Sequence, residues 1–121
     1  MDDLLSLFSA LADSSRLRIL NLLFQTGELC VCDLEATLGF SQTKVSRHMD
    51  YLKRAGLVRN RRDGRWILYS IPKPVTHHRR LVITSLRRIL ASHARTHRDT
   101  LRLRRRIRDG CCATFTILNP D

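Results

Sequence analysis

Gly39, Gly56 and the Asp63-Gly64 pair divide residues 30–71 into helix, tight turn, helix and hairpin, an order that few folds accommodate. The spacing predicts a helix from about Cys30 to Leu38, stopped by Gly39. Ser41 then caps a second helix, from Gln42 to about Ala55, and Gly56 closes it. Two helices joined by a glycine turn form the unit in which the second helix enters the DNA major groove. After Leu57 the apolar period shortens to two. Val58 to Arg62 and Arg65 to Ile71 read as short strands joined at Asp63-Gly64, a dipeptide that favours a type I′ turn, so a β-wing follows the helix pair. Trp66, Leu68 and Ser70 alternate with Ile67, Tyr69 and Ile71, which predicts one packed face and one open face.

Upstream, Leu4, Leu5, Phe8, Leu11 and Ala12 recur at helical spacing and define a first amphipathic helix. Asp13-Ser14-Ser15 interrupts it and caps a second, carrying Leu17, Leu20, Leu23 and Phe24 and ended by Gly27. Downstream, Pro72 and Pro74 end the wing, and Thr76 starts a long helix whose stripe of Val82, Leu86, Ile89 and Leu90 needs an apolar partner. From Arg98 onward the chain is densely basic. The expected organisation is a winged helix-turn-helix DNA-binding and dimerisation domain over residues 1–97, followed by a basic, cysteine-containing C-terminal tail over 98–121. The fold class is mainly α (α+β).

A formal net charge of +11 implies attraction to polyanions. Aromatic residues make up only 6%, so stacking platforms for single strands are scarce, and duplex binding through groove and phosphate contacts fits better. No apolar run approaches the ~18 residues of a membrane span. Met1-Asp2-Asp3 is acidic where a secretory leader is basic, so a cytoplasmic location with no membrane partner is expected. There is no phosphate loop, nucleophile elbow or pair of acids in a cleft-forming context, which argues against an enzyme.

On the second helix of the pair, Gln42, Thr43, Lys44, Ser46, Arg47 and His48 are expected to face the groove, with Val45, Met49 and Leu52 turned to the core. Gln and Arg suit base edges because each makes bidentate hydrogen bonds; Ser, Thr and Lys suit phosphates. Arg62 and Arg65 flank the wing turn, where guanidinium groups reach the minor groove or the phosphates. Ordinary solvated surface is the competing reading for both sets.

The four cysteines form two close pairs, Cys30 with Cys32 and Cys111 with Cys112, which in a reducing compartment point to metal binding or redox sensing. Cys30 and Cys32 fall where a helix should begin, and there the dipole and free amides favour the thiolate. Thiolate sulfur in turn prefers soft, thiophilic ions. Residues one apart project roughly 200° from each other on a regular helix, so a shared ion would require the first turn to unwind. The plainer alternative is that these are small buried apolar residues. Cys111-Cys112 has two further readings, a redox pair or an incidental one. His77 and His78 open the long helix, and His93 and His97 stand at a zinc-compatible i, i+4 spacing; surface or interface histidine is the default for all four.

Three stretches resemble the ArsR/SmtB family of metal-responsive repressors: Ala10 to Leu20 (ALADSSRLRIL), Glu28 to Leu34 (ELCVCDL) and Ser41 to Val58 (SQTKVSRHMDYLKRAGLV). The second is close to the thiolate motif of the arsenical-sensing branch, and the likeness spans residues 4 to about 95. The resemblance implies a homodimer formed through the first and last helices. It implies a transcriptional repressor on double-stranded operator DNA, released when As(III) or Sb(III) binds the thiolates. A symmetric dimer calls for an operator that is an imperfect inverted repeat. Some arsenical sensors carry a third cysteine three positions after the second, where Glu35 stands here. The third thiolate would then come from Cys111 or Cys112, giving Cys30, Cys32, Cys111 and Cys112 as the candidate ligand set. A zinc, cadmium or lead sensor of the same fold and a thiol-redox transcriptional switch are the alternatives.

Overall fold

The computed structural model describes residues 1–110 and 113–114. Among these the chain runs α1 (Asp2–Leu11), α2 (Ser14–Thr26), β1 (Glu28–Cys30), α3 (Val31–Leu38), α4 (Gln42–Arg54), β2 (Arg59–Asp63), β3 (Trp66–Ser70), α5 (His77–Ser92) and α6 (Ala94–Arg108). The starts of α2, α4 and α5 are the ones that their capping residues dictate. Asp13 Oδ1 accepts the Arg16 N–H at 3.0 Å, Ser41 Oγ accepts the Lys44 N–H at 3.1 Å, and Thr76 Oγ1 accepts the Arg79 N–H at 3.4 Å. At the turn between α3 and α4 the backbone must adopt a left-handed conformation, and Gly39 supplies it with φ 72° and ψ 28°.

One core joins the helices. Leu7 of α1, Ile19, Leu20 and Leu22 of α2, Leu34 of α3 and Val45, Met49 and Leu52 of α4 are fully buried. Each such side chain stabilises the fold by roughly 1.5–3 kcal/mol relative to exposure. This core sets α3 and α4 side by side and leaves the opposite face of α4 open.

The sheet has the order β1-β3-β2, all antiparallel, with Cys30 opposite Leu68 and Arg61 opposite Leu68 on the other side. Two expectations change here. Cys30, expected to open the helix, instead ends a strand over residues 28–30, because their backbone groups pair with β3; three residues are too few for any period to reveal. The predicted alternation along β3 also fails. Leu68 and Tyr69 point to opposite faces and are both buried, while Ile67 stays exposed.

The basic segment is a packed helix as far as Arg108. His93 breaks α5 with an extended backbone (φ −84°, ψ 134°), and its Nδ1 accepts the Arg95 N–H to cap α6. The boundary expected after His97 therefore falls inside α6. That helix docks on α2: Leu103 is 1% exposed, Asn21 donates to Thr96 O and Thr100 Oγ1, and Arg18 grips Asp99 with two bonds of 2.8 and 3.0 Å. Leu5 and Phe8 on α1 and Leu81 and Ile89 on α5 remain exposed. Between them Phe8, Leu11, Val82, Leu86 and Ile89 line a shallow apolar groove. No helix among the described residues is long and apolar enough to cross a membrane.

Candidate thiol site and nucleic-acid interface

Cys30 is the last residue of β1 and the N-cap of α3, with the extended backbone φ −73°, ψ 144°, while Cys32 lies in the first turn of the helix. The change of backbone between them brings Sγ to Sγ at 2.8 Å. This corrects the expectation that the sulfurs diverge and that the first turn must unwind, which assumed both cysteines inside one regular helix. Cys30 is 3% exposed and Cys32 half-buried. The expected ease of ionisation is corrected too. Burial, the Cys30 thiol and the neighbouring Asp33 carboxylate push the Cys32 thiol up to about 12, outweighing the helix terminus.

Cys30, Cys32 and Asp33 each place one ligand atom within 4.8 Å of the others. Asp33 is nonetheless engaged. Its carboxylate, 1% exposed, accepts the Ala113 N–H at 3.0 Å and the Thr114 N–H at 2.6 Å and lies 3.4 Å from Arg106 Nη2. The donors left for an ion are therefore sulfur, and two sulfurs fit a thiophilic ion better than a hard one. Thr114 Oγ1 in turn accepts the Cys30 N–H at 2.7 Å. Cys111 and Cys112 lie outside the described residues. Their neighbour Ala113 is anchored on the residue next to Cys32. Of the histidines, His78 Nε2 lies 3.0 Å from Asp3 Oδ2 and His93 serves as a helix cap. Among the described residues no group of three or more side chains with metal-ligand reach includes a histidine.

On α4, Gln42, Thr43, Ser46 and Arg47 are exposed. Lys44 is half-buried because its ammonium sits over the Phe40 ring at 4.0 Å, with Arg18 at 5.2 Å from the same ring. His48, expected on the groove face, is 7% exposed and turned inward. Arg16 Nη1 lies 3.4 Å from its Nδ1, and burial holds the imidazole below its ordinary pKa, hence neutral. The periodicity allows this, since His48 stands three residues after Val45 and four before Leu52, both fully buried on the same side of the helix. Arg16, not singled out from the sequence, is the hub: it donates to Ala10 O and Ser9 O and stacks on Tyr51 of α4 at 4.1 Å.

In the wing, Arg62 and Arg65 are both exposed, and Arg65 lies 5.0 Å over Trp66. Arg61 is spoken for. It forks onto Glu28 with bonds of 2.8 and 2.7 Å, tying the wing to β1, and holds that carboxyl below its usual range. Sequence alone carried no signal for this pairing, or for the clamp of Asp33 on Ala113 and Thr114, because the partners stand far apart in the chain.

The model of a bacterial regulatory protein family, the arsR family, matches residues 13–60. The solved homodimeric winged helix-turn-helix DNA-binding domain Mb0332 from Mycobacterium bovis, described as a possible ArsR-family transcriptional regulator, is 30% identical. It superposes with a TM-score of 0.62, over 76% of this chain and 82% of that one. The chain belongs to the arsR family. This arsR-family chain is 48% identical over 67 residues to the arsenical resistance operon repressor of Escherichia coli K12, which is 55% of this chain and 57% of that one. HlyU from Vibrio cholerae is 31% identical with a TM-score of 0.62, covering 73% of this chain and 91% of HlyU. The chain spans about half the length of the curated relatives it matches. The family match contains Cys30, Cys32 and α4, whereas α6 lies beyond it.

Proposed function

We propose that this protein is a dimeric transcriptional repressor that binds an inverted-repeat operator through α4 and the wing, and lets go when As(III) or Sb(III) is captured by its thiols. The observation that carries the reading is the pair of sulfurs 2.8 Å apart at the junction of β1 and α3, the helix packed against α4. Gln42, Thr43, Lys44, Ser46 and Arg47 would contact the major groove, and Arg62 and Arg65 the adjacent backbone or minor groove. The apolar face of α1 and α5 would be the dimer contact, since among the described residues Leu5, Phe8, Leu81 and Ile89 all remain exposed there.

Cys30 and Cys32 would supply two ligands, and Cys111 or Cys112 of the same subunit a third; the anchoring of Ala113 and Thr114 on Asp33 supports that cis origin. Each thiol gives up its proton on binding the ion. The Cys30 N–H bond to Thr114 and the Asp33 clamp share this turn, so a change there reaches both α3 and the end of α6. By linkage, an ion that weakens DNA binding binds the DNA-held protein more weakly by the same factor.

The test is DNA binding titrated with As(III), Sb(III), Zn(II) and Cd(II), on wild type and on Cys30→Ser, Cys32→Ser and Cys111→Ser/Cys112→Ser. Release by As(III) or Sb(III) that is lost in the first two variants is the expected outcome. A wild type that ignores every ion refutes the sensor, and release by Zn(II) or Cd(II) alone transfers the reading to a divalent-metal sensor. A tail variant that responds normally removes only the third ligand. The same sulfur contact favours a second reading, a redox switch in which an oxidant takes two electrons and two protons from Cys30 and Cys32 to form a disulfide. Dithiothreitol-reversible release on oxidation, without response to any ion, would select it.

A further inference from the structure

The feature that this reading leaves unused is the charge of α6. The helix carries seven arginines against one acid, Asp99, which is already paired with Arg18. Arg95, Arg98, Arg102 and Arg105 are exposed and stand at i, i+3, i+7 and i+10, so they form one stripe along the helix, about 15 Å long. Among the described residues no acidic side chain pairs with Arg95, Arg98 or Arg105. Folding does not ask for this arrangement. Like charges at that spacing oppose a helix, and Arg95 and Arg98 lie toward the N-terminus, where the dipole disfavours cations.

The position of the stripe is set by three cross-links that lay α6 antiparallel beside α3. Asp99 holds Arg18, whose guanidinium faces Phe40; Arg102 Nη1 donates to Thr37 O at 3.0 Å; Arg106 reaches Asp33. Residues 99, 102 and 106 thus meet the turn, the end and the start of the first helix of the DNA-reading pair. On the helical wheel the arginine stripe adjoins this α3-facing side, whereas Arg104 and Arg108 project from the other flank. Lys44 of α4 packs on the Phe40 ring against which the Asp99-paired Arg18 also lies, so the basic end of α4 stands beside the turn that α6 approaches.

We infer that the α6 arginine stripe is a second phosphate-binding surface, which grips duplex DNA outside the stretch read by α4. The inference rests on α4 being the groove-reading helix. Guanidinium groups along 15 Å of helix match a run of successive phosphates, and each contact releases a counterion, so the gain is independent of sequence and dependent on salt.

The test starts from a duplex selected by the wild-type protein out of a random pool, made in two lengths. One ends at the inverted repeat and the other continues for about one helical turn on each side. Affinity is measured over a range of salt for wild type, R98Q/R105Q and, as a charge-matched control, R104Q/R108Q, with circular dichroism melts to verify folding. Wild type should prefer the longer duplex and R98Q/R105Q should not. At about 0.9 in log–log slope per contact, an about fourfold rise in salt should cost the wild type about tenfold more affinity per subunit than R98Q/R105Q. An unchanged slope and length preference in R98Q/R105Q overturns the inference, as does an equal loss in R104Q/R108Q. A wild type that selects no duplex sinks this surface and the DNA-binding reading together, an outcome distinct from the other two.

Discussion

Replacing Asp99 by Asn tests whether α6 is part of the folded domain. The carboxylate is 4% exposed and the Arg18 guanidinium 14%, and two charge-assisted bonds of 2.8 and 3.0 Å join them. Asn keeps the volume and one acceptor but loses the charge, and it turns an amide toward a guanidinium that has little access to water. Breaking a buried pair from one side costs about 3–5 kcal/mol. The residual exposure of Arg18 sets the value at the lower end, about 3 kcal/mol. For a chain of this size about 1 kcal/mol corresponds to about 4 °C, so the melting temperature should fall by about 12 °C. The assay is thermal unfolding followed by circular dichroism, with urea titration to check that the m-value is unchanged. Arg18→Met/Asp99→Leu should recover most of the loss, since an apolar pair of similar volume needs no partner. A fall of less than about 3 °C in Asp99→Asn would mean that the pair is solvated and α6 undocked.

Gly39→Ala should cost about 1–2 kcal/mol in urea unfolding, because φ 72° strains a side chain although nothing lies within 4 Å of the added methyl; no loss would refute the left-handed turn. His48→Ala should lower stability by about 1–3 kcal/mol through a lost partner for Arg16 and a small cavity. Arg47→Ala should leave the melt unchanged and weaken operator binding by about 1–3 kcal/mol. A His48→Ala protein that melts normally but binds DNA poorly would return His48 to the groove. Arg79, then His78, hold the Asp3 carboxyl at about 2, down from 3.8. With the folded value depressed, the stabilisation is present above pH 4 and is lost as pH falls toward 2. An NMR titration of Asp3 with a midpoint near the ordinary value would show that α1 is not tied to α5 through this contact.

Much of the architecture was legible in the residues because it is local. Asp13, Ser41 and Thr76 cap helices with their own side chains, Gly39 supplies a conformation other residues resist, and Gly64 turns the hairpin, although one residue later than expected: Asp63 pairs with Trp66, the turn is Gly64-Arg65, and positive φ at Gly64 alone rules out the type I′ form. The cysteine motif was legible for the same reason, as two sulfur-bearing residues at a short spacing. What it could not convey was their geometry. Only pairing with β3 makes residues 28–30 a strand, and only that change of backbone at Cys30 swings its sulfur onto Cys32. Burial then raised the thiol that the helix terminus alone would have lowered, and turned His48 inward although its type suited the groove. The basic stretch after His97 read as a tail because its charge hides the few residues, Asn21 and Arg18 on α2 and Asp99, Thr100 and Leu103 on α6, through which it packs. Caps, turns and periods act over a few residues and are written in the chain; strand partners, burial and helix docking join residues as many as 84 positions apart, and packing alone brings those together.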